Sequence, residues 1–151
     1  MVAIVAGVTQ ADASGQDLFT SNCVVCHQAN AEGVAGFYPP LAHSIGNYVR
    51  IPQGRVYLVH VLAFGLTGTI AAHGQSFFGV MQSWPKFSDG DVAQVLDYVL
   101  ASFNSSELPK GFAQITAEEV KRNRAREMTS DEVHRERDAL MKMLESGAVK
   151  H

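Results

Sequence analysis

The sequence predicts an all-α fold, a helical domain over residues 14–108 followed by a C-terminal helical hairpin over 109–151. Three observations carry that expectation. Apolar residues recur at helical spacing behind Ser or Thr capping positions, strand-like alternation never runs beyond a few residues, and no internal repeat is present. The charge balance also changes along the chain. Ser14 to Leu108 holds three basic residues (Arg50, Arg55, Lys86) against six acidic ones, whereas the stretch from Pro109 onward holds nine basic and eight acidic. That shift marks the boundary.

The elements follow in order. Residues 1–13, MVAIVAGVTQADA, join an apolar run to a small-x-small site and read as the remnant of an export signal or as an N-terminal arm. The run is far shorter than the ~20 residues that span a bilayer. Ser14 with Asp17 caps a first helix, on which Leu18, Phe19, Asn22, Cys23 and Cys26 keep helical spacing. The stretch QANAEGVAGFYPPLAHSIGN is rich in Gly, Pro and Asn and reads as a long loop, of the kind that carries function or wraps something. A second helix starts near Pro52 and stops at Gly65, with Val56, Val59, His60 and Phe64 on its inner face. Residues 65–87 read as irregular because Gly65, Gly68, Gly74 and Gly79 interrupt any pattern. Ser88 and Asp91 then open the clearest helix, with a stripe of Val92, Val95, Leu96, Val99, Leu100 and Phe103. In the tail, Thr116 with Glu119 and Thr129 with Glu132 open two further helices, and Gly147 stops the second. Their apolar faces are thin, so they must lean on a larger body.

Composition narrows the function. A hydrophobic fraction of 46% with 18% charged residues describes a chain that folds. The net charge of −3 offers no basic face for nucleic acid. Any membrane contact is expected only through a partner or an uncleaved leader.

The chemistry concentrates in CVVCH, Cys23 to His27. A thioredoxin-type disulfide wants this spacing at the end of a strand in a βαβ setting, and here it closes a helix. A structural zinc site wants four ligands, and the other histidines (His43, His60, His73, His134, His151) stand singly with no further cysteine in the chain. Cys-x-x-Cys-His is also the attachment pattern for c-type haem. One helical turn puts both thiols on the same edge of a porphyrin, and the next residue carries the imidazole over the ring face.

In this context the chain resembles the class I cytochromes c. The resemblance runs from about Ser14 to Phe103 and rests on the helix entering CVVCH, the loop with YPPL, a middle helix, the loop with GVM, and the closing FSDGDVAQVLDYVLASF. It implies one covalent haem c, with Cys23 and Cys26 as thioether anchors, His27 as proximal ligand and Met81 as distal ligand. Pro40, or its neighbour Pro39, falls where the family's proline carbonyl accepts the proximal imidazole N–H. Gly15, Phe19, Tyr98 and Val99 match the crossing of the family's first and last helices. Family members often place proline directly after the ligand methionine, whereas here Gln82-Ser83-Trp84 precede Pro85.

Other residues keep two readings. His73 rivals Met81 for the sixth position, while His60 faces inward as a satisfied core histidine and His43 belongs to the surface. Tyr48, Arg50 and Arg55 are either donors to the haem propionates or ordinary surface groups. Trp84 either walls the haem edge or faces a partner. The tail either packs on its own core or docks on a partner, as similar extensions do on cytochromes that serve dehydrogenases and nitrite reductases. With two strong protein ligands the iron has no open site, so the resemblance implies a periplasmic one-electron carrier of positive potential, not itself an enzyme, working with a dehydrogenase, reductase or oxidase. The alternatives are a haem-based small-ligand sensor or catalytic haem subunit with a labile sixth ligand, and a subunit tethered by its tail.

Overall fold

A computed structural model describes residues 14–147, so the expectation for residues 1–13 lies outside the described residues, as does His151. The chain forms α1 (Gly15–Asn22), α2 (Val24–His27), a 3₁₀ turn (Ile45–Arg50), α3 (Pro52–Phe64), β1 (Leu66–Ala72), β2 (Gln75–Met81), α4 (Asp89–Phe103), α5 (Ala117–Asn123) and α6 (Ser130–Glu145). All four expected N-caps are in place. The Ser14, Ser88, Thr116 and Thr129 hydroxyls accept from the backbone N–H three residues on, and Asp91 and Glu132 complete reciprocal boxes.

The crossing of α1 over α4 sets the frame. A Cβ on Gly15 would lie 2.1 Å from the Gln94 carbonyl oxygen and 2.8 Å from Tyr98 Cβ, so only glycine lets the backbones approach this closely. Phe19 then drops between Tyr98 and Phe103, with ring centroids 5.6 and 5.5 Å away.

Two expectations change. The segment read as irregular contains an antiparallel hairpin, with Leu66 opposite Met81 and Ala72 opposite Gln75. Its two-residue turn, His73-Gly74, has φ +48° and +71°, the left-handed pair that matches strand twist. Glycine content hid it, since Gly68 and Gly79 face each other in mid-ladder. The fold is thus helical with one small two-stranded sheet. Second, α3 has no single inner face. Gly54, Tyr57, Leu58, Val59, His60 and Leu62 are all buried, because the tail covers the side that would otherwise meet water.

The tail packs on its own core. α5 lies against α4 and α3, and α6 against α3 and β1, so the two helices straddle the core instead of closing as an independent hairpin. Ile115, Val120, Val133 and Leu140 join one hydrophobic cluster with Phe19, Val59 and Leu100. Polar groups hold the seam. Ile115 N–H donates to Asp97 Oδ1 at 2.8 Å, Arg55 forks onto Glu119 at 2.8 and 2.7 Å, and Arg124 pairs with Asp89 at 2.6 Å.

Candidate functional site

α1 ends at Cys23, and α2 restarts the helix for one turn, with His27 N–H bonded to the Cys23 carbonyl at 2.8 Å. That turn places Cys23, Cys26 and His27 on the wall of one cavity of about 610 Å³. No disulfide joins Cys23 and Cys26. Burial, and then the neighbouring Cys26, push the Cys23 thiol up to about 11.

The loop after the motif returns to orient the imidazole. Gly33, at φ +69°, donates its N–H to the His27 carbonyl at 2.9 Å, and Val34 bridges Tyr38 across a tight reversal. A Cβ at Gly33 would lie 2.2 Å from the Tyr38 oxygen. The reversal aims the Pro39 carbonyl at His27, whose Nδ1–H donates to it at 2.9 Å. The acceptor is therefore Pro39, not Pro40, because the loop turns its carbonyl inward one residue earlier than expected. Burial lowers the His27 pKa, opposed in part by that hydrogen bond. A neutral ring with its proton on Nδ1 leaves the Nε2 lone pair without a protein partner among the described residues.

The facing wall is the hairpin. Leu66 and Met81, and Ile70 and Phe77, are cross-strand partners whose period-two spacing puts them on one face, and all four line the cavity. Between them Gly79 leaves open space, with nothing within 4 Å of where its Cβ would be. Met81 is pinned at the base. Its carbonyl would lie 2.6 Å from a Cβ on Gly65, and just beyond it the Trp84 N–H donates to the Leu62 carbonyl at 2.8 Å.

Other expected residues fall elsewhere. Arg55 faces the tail, bonded to Glu119 and to the Ala113 and Gln114 carbonyls. Tyr48 is buried behind the hairpin, its hydroxyl accepting from Arg137 at 2.9 Å. Arg50 donates to the Glu107 carbonyl. None of the three lines the cavity, and Tyr48 and Arg55 bond instead to a tail that the family resemblance did not cover. His73 sits on the hairpin turn and donates to the His43 carbonyl at 2.9 Å, outside the lining, and His43 is exposed beside Glu107. His60 is buried and doubly bonded, as expected. Trp84 lines the cavity, and its Nε1–H is buried with no partner, a donor suited to an acceptor that a bound group would bring.

The residues present fit a covalently held haem. Two cysteines one turn apart, an oriented imidazole and a methionine line one cavity whose walls are mainly apolar, and these groups would suit a c-type centre. Fold and site together define a c-type haem protein. Residues 13–102 match the family model for cytochrome c, and the chain belongs to that family.

Among curated relatives, one cytochrome c-552 of Thermus thermophilus is 36% identical over 137 residues, covering 91% of this chain and 92% of that protein. A second Thermus thermophilus cytochrome c-552 is 38% identical over 120 residues, 80% of this chain and 92% of that one. The cytochrome c subunit of a quinone alcohol dehydrogenase from Gluconacetobacter polyoxogenes is 38% identical over 55 residues, 36% of this chain and 11% of that subunit. A match of 137 residues runs past the family segment into the tail. The chain carries one haem c and transfers electrons through it.

Proposed function

We propose that the protein is an exported, periplasmic one-electron carrier with His27 and Met81 as the axial ligands of its haem, exchanging electrons with a partner redox enzyme. The observation that carries this reading is that His27, on α2, and Met81, on β2, line one cavity, with the His27 imidazole oriented by the Pro39 carbonyl and Met81 paired with Leu66 at the base of the hairpin. Bound haem supplies the one-electron couple. The chain's own work is to hold it and tune it. Cys23 and Cys26 anchor the ring, the Pro39 carbonyl keeps the His27 proton on Nδ1 and raises the basicity of Nε2, and the thioether favours the reduced state.

The rim supports a partner that meets the cavity mouth. Val25, Phe37, Phe78 and Val80 are 79%, 71%, 79% and 76% exposed and all border the cavity, and small apolar contacts of this kind suit brief electron-transfer encounters. Export is supported by the apolar, small-residue pattern of residues 1–13, and no described helix is long and apolar enough to cross a membrane. An oxidoreductase partner is supported by the dehydrogenase cytochrome subunits among the relatives.

Absorption spectra in both redox states test the ligation. The ferric protein is expected to show the weak long-wavelength band of sulfur bound to iron, and the ferrous protein to refuse carbon monoxide. Met81→Ala should lose the band, bind carbon monoxide and show a lower potential. A Met81→Ala protein with unchanged spectrum and potential would falsify the His/Met reading, and ready carbon monoxide binding by the unmodified protein would favour a sensor.

A further inference from the structure

The free edge of the hairpin is the feature that haem binding leaves unexplained. β1 pairs with β2 on one side only, so its outward carbonyls need other partners. α6 supplies them at Thr69 and Ala71 and adds a side-chain contact at Thr67. The Thr67 hydroxyl donates to Asp131 Oδ1 at 2.9 Å, the Thr69 carbonyl accepts from His134 Nε2 at 2.9 Å, and the Ala71 carbonyl accepts from Arg137 Nη2 at 2.7 Å. Each step of two strand residues rises about 6.6 Å and each step of three helix residues about 4.5 Å, and the longer reach of His134 and Arg137 beyond Asp131 lets all three contacts form. Gly68 makes room: at φ +102° its Cβ would approach the His134 ring to 3.3 Å.

Arg137 is the fixed point of this seam. It is 4% exposed, its Nη1 donates to the Tyr48 hydroxyl at 2.9 Å, and its guanidinium lies 5.5 and 6.0 Å from the Tyr48 and Tyr57 ring centroids. No carboxylate pairs with it among the described residues. A buried cation held against two aromatic rings and one hydroxyl makes a further hydrogen bond to a strand carbonyl.

An isolated two-stranded hairpin is marginal in water, and its register decides where every side chain on it points. Met81 is in that register, opposite Leu66. We propose that His134 and Arg137 are positioning residues for Met81: α6 serves as the third member of the hairpin and sets how firmly the thioether is presented to the cavity. This rests on Met81 being the distal ligand.

The test uses the ferric holoprotein with cyanide as the probe, because cyanide enters the sixth position only when the thioether gives way. The unmodified protein is measured first; absence of its sulfur–iron band would remove the reading of Met81 itself. With the band present, His134→Ala and Arg137→Leu are expected to bind cyanide about tenfold faster, the size expected when one hydrogen bond restraining a local opening is lost. Both should lose the band below the temperature of global unfolding, and Arg137→Lys, which keeps a donor, should fall between. Val120→Ala is the comparison, since it weakens α5 packing without touching the hairpin. The proposal is overturned if His134→Ala binds cyanide at the unmodified rate, or if Val120→Ala, at matched global stability, accelerates binding equally. His134 is partly exposed, so its variant keeps the test open should Arg137→Leu fail to fold.

Discussion

At the scale of single residues, side chains that are small or polar do work that hydrophobicity does not reveal. Gly15 sets the α1–α4 distance. Gly15→Ala is expected to cost about 2 kcal/mol or more, because the obstacle is the Gln94 backbone and not a flexible side chain, and urea unfolding of the ferric protein would measure it. Asn104 is fully buried. Its Oδ1 accepts from the Ser44 and Gly46 N–H groups at 3.1 and 3.0 Å, and its Nδ2 donates to the Val99 carbonyl at 3.2 Å, tying the long loop to the end of α4. Asn104→Ala orphans buried backbone donors and should cost about 3 kcal/mol in the same measurement. No pattern in the chain announces Asn104, since an asparagine after a helix also reads as an ordinary stop.

At the scale of elements, His60 ties α3 to both tail helices. Its Nδ1 meets Glu136 Oε2 at 2.8 Å and its Nε2 meets the Asn123 carbonyl at 2.7 Å. Both partners are acceptors, so only the imidazolium, donating from both nitrogens, satisfies the two bonds at once. Burial opposes that charge, but the bonds to Glu136 and Asn123 outweigh it and raise the pKa above 6.5. A folded-state value above the unfolded one stabilises fully below pH 6.5, and the contribution is lost as pH rises through the raised value. Unfolding free energy should therefore decline as pH climbs above 6.5 through the raised value, and that slope should flatten in His60→Gln. An identical slope in both proteins would assign it to another group.

At the scale of the whole molecule, the core is shared between family domain, tail and cofactor. Leu140 is 1% exposed within the common cluster, and Leu140→Ala is expected to cost about 3 kcal/mol although it lies outside the family segment. The cavity of about 610 Å³ is too large to remain as a void in a chain this size. Cys23→Ala with Cys26→Ala should release the haem on acid–acetone extraction and, once stripped, leave a protein with diminished far-ultraviolet helical signal. The unmodified protein should keep its colour through the same extraction, and retention by the double variant would contradict attachment through these two cysteines.

The turn that carries Cys23, Cys26 and His27 and the ends of the helices were legible in the amino-acid order, because both depend on local spacing: the three residues share one turn, and each capping hydroxyl meets an N–H three residues away. Tertiary structure alone decided the rest. The hairpin pairs residues 3 to 15 positions apart, and the choice of Pro39 over Pro40, the placement of Tyr48 and Arg55 away from the cavity, and the seam through His60, His134 and Arg137 rest on partners 12 to 89 positions apart. A buried polar group bonds to whatever the fold brings within about 3 Å of it, and that neighbour is set by packing, not by sequence distance.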